Sequence, residues 1–221
     1  MQTKIILSEE ERLAINNCRF FEVKREISHK VESIFSGVVN DQELKLDWKK
    51  IIAQQDWKIL EGKISRGENY KGFPWLMLDY PRNFSNENVF AVRNFFWWGF
   101  YFACKKNVFA VRNFFWWGFY FACNFQLSGE SLKKYLPIIE RNQEQLAEKK
   151  IYLSLNKSSW IHKVDEENFV LLKSDNLKMI SSTAVRNGYL KLSAVHTLSE
   201  FEKAVGFFQS YQKLFQQIIS G

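Results

Sequence analysis

Residues 88–104 read NVFAVRNFFWWGFYFAC, and residues 107–123 read NVFAVRNFFWWGFYFAC again. All 17 positions are identical at a spacing of 19, with Lys105-Lys106 between the copies. Repeat architectures bury a core by stacking three or more similar units, and no third unit follows here, so a solenoid is excluded. Two copies without a single difference read as a recent duplication of one segment of a 202-residue parent, engineered as the first reading, with a natural duplication or a sequence artefact as the alternatives.

Each copy has two halves. Ser85 can cap a helix in which Val89, Val92, Phe95 and Phe96 share a face, with Gly99 as its stop. After the glycine the period changes to two. In the second copy Phe119, Phe121, Cys123, Phe125 and Leu127 fall on one side of a strand, whereas in the first copy the same alternation runs into the two lysines. The spacing thus predicts that the strand is completed only by the second copy. A fold with one slot for this unit can take copy one, copy two, or the first half of one with the second half of the other. The displaced residues carry eight aromatics, each worth about 1.5–3 kcal/mol if buried. Self-association through the extra aromatic copy is therefore expected.

The duplication also distorts the bulk numbers of this 221-residue chain. The extra unit, residues 105–123, carries Lys105, Lys106 and Arg112 and no acid, so without it the formal charge falls from +7 to +4. Net charge then gives no case for a nucleic-acid partner. Three cysteines make no disulfide framework, and the apolar run Ile5 to Leu7 is too short for a secretory signal, so a cytoplasmic location is expected. The apolar run 95–104 is too short to span a membrane.

Outward from the repeat, Ser8-Glu9-Glu10-Glu11 has the spacing of a capping box before a long amphipathic helix that stops near Gly37. A shorter helix covers 44–53. Residues 57–65 read as a strand, 66–72 as a turn, and 73–80 as a second strand stopped by Pro81. Downstream come a helix over 136–148 opening on Pro137, strands at 151–155, 169–172 and 189–195, and a last helix after Ser199. The order, roughly ααββαβαβββα, predicts an α+β fold: a single domain over 1–221, with a mostly antiparallel sheet covered by helices.

Candidate chemistry is sparse. Glu61 and Lys63 form an E-x-K pair on a strand, the arrangement with which Mg²⁺-dependent nucleases hold a metal and activate water; Asp47 or Asp56 would have to supply the further acid. His29, His162 and His196 fall on different elements with no metal-ligand spacing, so no metal is expected, and no phosphate loop or dinucleotide fingerprint points to a cofactor. Arg66, Glu68, Tyr70, Asp79 and Arg82 place charged and aromatic groups at strand ends, where binding sites lie. The aromatics 95–98 read as core.

The runs 66–70 (RGENY) and 76–82 (LMLDYPR), followed by Phe90-Ala91-Val92-Arg93 and Phe96-Trp97-Trp98-Gly99, resemble a group of uncharacterised bacteroidete proteins. The resemblance covers the middle third of the chain, implies a bacterial parent and carries no activity; residues 105–123 depart from it. The expected function is that of a non-enzymatic binding or interaction protein, with the E-x-K nuclease as the alternative.

Overall fold

A computed structural model describes residues 6–53, 61–70, 72–84, 88–98 and 120–220. Three helices, α1 (Glu9–Asn16), α2 (Cys18–Val39) and α3 (Gln42–Ala53), lead into strands β1 (Lys63–Tyr70), β2 (Phe73–Phe84), β3 (Val89–Trp97) and β4 (Tyr120–Ser128). Helices α4 (Gly129–Arg141) and α5 (Gln143–Glu148), strands β5 (Tyr152–Ser154) and β6 (Phe169–Leu171), helix α6 (Met179–Asn187), strand β7 (Tyr189–Thr197), a 3₁₀ turn (Leu198–Lys203) and helix α7 (Ala204–Ser220) follow. The strands form one antiparallel sheet in the order β1-β2-β3-β4-β7-β5-β6. This is the expected α+β fold.

One face of the sheet is covered by helices. Phe90, Val92 and Phe96 of β3 and Phe121, Phe125 and Leu127 of β4 alternate onto this side. They meet Phe208, Phe215 and Ile218 of α7 and Val31, Phe35 and Val38 of α2 in one continuous core. Phe125 stacks on Phe215 at 5.1 Å, and Trp48 of α3 meets Phe90 edge-on while its indole donates to Gln212 of α7. The other face bears Phe95, Trp97 and Ala122, with Tyr70, Trp75, Met77 and Tyr120 around them. It is crossed by residues 155–168, the connection from β5 to β6.

The first half of the copied unit is a strand, not the expected helix. Apolar positions at 89, 92, 95 and 96 satisfy a helical stripe, but β3 is buried on both faces and so shows no alternation. Its β-branched and aromatic residues suit a pleated surface, and pairing with β2 and β4 satisfies its backbone on both sides. Ser85 lies outside the described residues.

The first copy supplies β3, and the second supplies β4 as its alternation requires. Phe96 pairs with Phe121. Because Phe102 is the twin of Phe121, the same pairing without the extra unit would leave only residues 98–100 between the strands. The duplication therefore lengthens a hairpin connection from three residues to 22. Most of the extra copy, and with it the expected self-association, lies outside the described residues. Deleting residues 105–123 is expected to preserve the sheet and raise stability by about 1–2 kcal/mol, the closure entropy of the longer loop. Chemical denaturation of both chain lengths checks this; a shorter chain that fails to fold would show that the second copy is needed in full.

Other boundaries shift for local reasons. The first helix breaks at Asn17, whose side chain caps α2, and the capping box of Ser8 with Glu11 forms as read. Residues 66–70 belong to β1 rather than to a turn. Strand β2 runs through Pro81 because a bulge sets Tyr80 and Pro81 against Val92 alone, where no ladder donor is needed. Pro137 sits inside α4 instead of opening a helix; Leu132, Tyr135 and Ile139 bury enough surface to hold the helix through it. Helix α6 has no counterpart among the sequence-based expectations.

Candidate functional site

The helix-free face carries a polar row that crosses the sheet at one level. Asp79 of β2, Arg93 of β3, Asn124 of β4 and Ser193 of β7 are successive cross-strand partners. The Arg93 guanidinium donates to Asp79 through Nε at 2.7 Å and Nη2 at 3.1 Å, a bidentate pair buried on both sides. Asn124 donates to the Arg93 carbonyl, and Ser193 donates to the Asn124 side-chain oxygen at 2.6 Å. The row is thus a chain of hydrogen-bonded groups that fixes the guanidinium in place.

Residues 155–168 lie over this row, held by three side chains from below. The hydroxyl of Tyr70 accepts from the His162 amide and that of Tyr120 from the Val164 amide, both at 2.7 Å. The Lys191 side-chain nitrogen donates to the carbonyls of Ser159 and Ile161 and shares a hydrogen bond with Nδ1 of His162 at 2.9 Å, and burial, then the Arg93 charge, hold its pKa well below the ordinary lysine value. Trp97 steadies Tyr70 in turn by donating to its carbonyl. Burial pushes the Tyr70 and Tyr120 phenols up, so both stay protonated at neutral pH.

Between this cover and the sheet lies a cavity of about 200 Å³ lined by Asn69, Tyr70, Trp75, Met77, Arg93, Phe95, Trp160 and His162. Phe95 stacks on His162 at 5.0 Å, Trp75 on Phe95 at 6.2 Å, and the Arg93 guanidinium lies 5.6 Å from the Trp160 ring centroid. Two backbone features aim these rings. A register shift between Gly67 and Tyr70 turns Tyr70 to the cavity face, opposite to Arg66 and Glu68. A Cβ on Gly67 would stand 2.6 Å from Trp75 Nε1, so only glycine lets that indole lie across β1.

His162 has its imidazolium form suppressed first by burial and then by the charges of Lys191 and Arg93, which hold its pKa well below the ordinary value. In the unfolded chain it takes up a proton near pH 6.5, so below that pH the unfolded state binds more protons and stability falls. A melting temperature that drops between pH 7 and pH 5, with a shallower drop in His162→Phe, is expected. An unchanged slope in the variant would place the effect elsewhere.

Of the residues singled out from sequence, Tyr70 lines the cavity and Asp79 anchors its arginine. The others lie apart. Arg66 pairs with Glu32 and Glu68 with Lys24, tying β1 to α2, while Arg82 donates to the Glu61 carbonyl. Glu61 and Lys63 are exposed at the start of the edge strand β1, Asp47 pairs with Lys50 on α3, and Asp56 lies outside the described residues. Among the described residues no group of three His, Cys, Asp or Glu is placed to hold a metal ion. No helix among them is long and apolar enough to cross a membrane.

Sequence reading passed over Arg93, Trp160 and Lys191. The usable signal was a charged residue inside an apolar strand, Arg93 among aromatics and Lys191 between Leu190 and Leu192. The fold and this cavity define the molecule as an α+β protein with an aromatic-walled pocket on the open face of its sheet. No protein-family model, curated protein or solved structure matches the chain.

Proposed function

We propose that the chain is a non-enzymatic binding protein that holds a small ring-bearing molecule in the cavity beneath residues 155–168. The observation that carries this reading is the wall itself. Four aromatic side chains and one arginine converge on a space of about 200 Å³, each held by a stated contact. Binding sites pair apolar walls with a few placed polar groups, and this cavity does so on a small scale, below the ~300–1,000 Å³ of drug-sized sites.

Trp160 offers a clean test because it is 68% exposed and its removal leaves the core untouched. A fragment set of single-ring compounds is expected to raise the melting temperature of the full chain, and Trp160→Ala is expected to weaken that binding at least about tenfold, the equivalent of 1.4 kcal/mol. Failure of every ring compound to bind would end this reading. None of the lining residues comes from the second copy, so a chain lacking residues 105–123 is expected to bind as well.

A cytoplasmic, bacterial setting fits the two described cysteines, which are free: Cys123 is buried, its thiol pushed up by desolvation, and Cys18 is exposed.

A further inference from the structure

We infer that the cavity takes a small flat carboxylate, an aromatic ring bearing one carboxyl group. This rests on reading the cavity as a binding site, and it follows from where donors and charges are left over.

Arg93 spends Nε and Nη2 on Asp79, and its Nη1 has no hydrogen-bond partner among the described residues. His162 has its Nδ1 taken by the Lys191 nitrogen, and its Nε2 too has no hydrogen-bond partner there. Both residues line the cavity. The unused edge of the guanidinium offers a carboxylate a charged donor, and a donor of this kind left without an acceptor is costly once water is displaced.

The charge balance has the same sign. Asp79 neutralises Arg93, but Lys191, 1% exposed, is held by two carbonyls and an imidazole with no carboxylate in contact among the described residues. Burial and then the Arg93 charge hold the Lys191 pKa well below the ordinary lysine value, so the site lacks a counter-anion, which a carboxylate supplies and a cation does not. The basicity of His162 is depressed first by burial and then by the charges of Lys191 and Arg93. Tyr70, Trp75, Phe95 and Trp160 supply faces for a flat ring, and the volume admits one ring and its substituent. A quaternary ammonium, the usual guest of an aromatic cage, would meet Arg93 instead.

Titration calorimetry of the full chain at pH 7.5 with benzoate, benzamide and benzylammonium tests this. Benzoate is expected to bind at least about tenfold tighter than the isosteric benzamide, with benzylammonium weakest, as charge-assisted hydrogen bonds require. The double variant Asp79→Asn/Arg93→Gln keeps the shape of the pair and removes its charges. It is expected to lose the preference for benzoate over benzamide. Should that variant not fold, His162→Phe, which removes Nε2 and keeps a ring, is expected to narrow the preference. Equal binding of benzoate and benzamide by the unaltered chain would overturn the carboxylate inference and leave the binding site standing. Ring compounds that fail to bind in any charge state would overturn both.

Discussion

Asp79→Ala is expected to lower the stability of the fold by about 3–5 kcal/mol, because it leaves the Arg93 guanidinium buried beneath residues 155–168 without its counter-charge. The cost arises from the stranded cation more than from the lost attraction, so the double variant Asp79→Asn/Arg93→Gln is expected to cost much less than the single one. Urea denaturation of the three chains gives the comparison. A single variant within 1 kcal/mol of the parent would mean that water reaches Arg93 freely, and the cavity would then lack its fixed charge.

Phe125→Ala is the other large effect. Its ring is 1% exposed, stacked on Phe215 and edge-on to Phe90, and its loss is expected to cost about 3–5 kcal/mol. Phe125 lies outside the duplicated unit and has no twin. Phe90, equally buried and in ring contact with Trp48, Phe125 and Tyr135, does have one in Phe109. The second copy can offer β3 an identical strand, so Phe90→Ala alone is expected to cost less than Phe125→Ala. Phe90→Ala/Phe109→Ala is expected to restore the full penalty. A single Phe90 variant as unstable as the double would show that only the first copy can occupy the slot.

Periodicity decides which parts of the molecule were legible beforehand. Strand β4 could be assigned to the second copy because only that copy continues into Asn124-Phe125-Gln126-Leu127, and alternation is the signature of a strand. Strands β5, β6 and β7 and helices α3 and α7 followed from the same periodicities. Strand β3 did not, since apolar residues on both faces erase the period that separates strand from helix. Helix α6 hid because its apolar positions are few, and Gly188, in the left-handed conformation that ends it, was its one clear mark.

The candidate site was less legible for a related reason. Tyr70 and Asp79 stood out as polar residues at strand ends, but what joins them lies far off in sequence. Arg93 is on the next strand, and His162 and Lys191 come some 70 and 100 positions after it. A bulge at Gly67 to Tyr70 reverses which residues of β1 face the cavity, so simple alternation places Tyr70 with Arg66 and Glu68, on the wrong side. Register irregularities of this kind carry no local sequence signal.

The long reach of α7 governs how the molecule must be assembled. Strands β1 to β4 join neighbours in the chain, whereas Phe121 finds Phe208, and Phe125 finds Phe215, only after roughly ninety further residues have been added. On a ribosome, a nascent polypeptide that has emerged no further than β4 presents its aromatic sheet to whatever chaperone or neighbour is at hand. Passage through that exposed interval is expected to limit the yield of native protein more than the formation of any hairpin does.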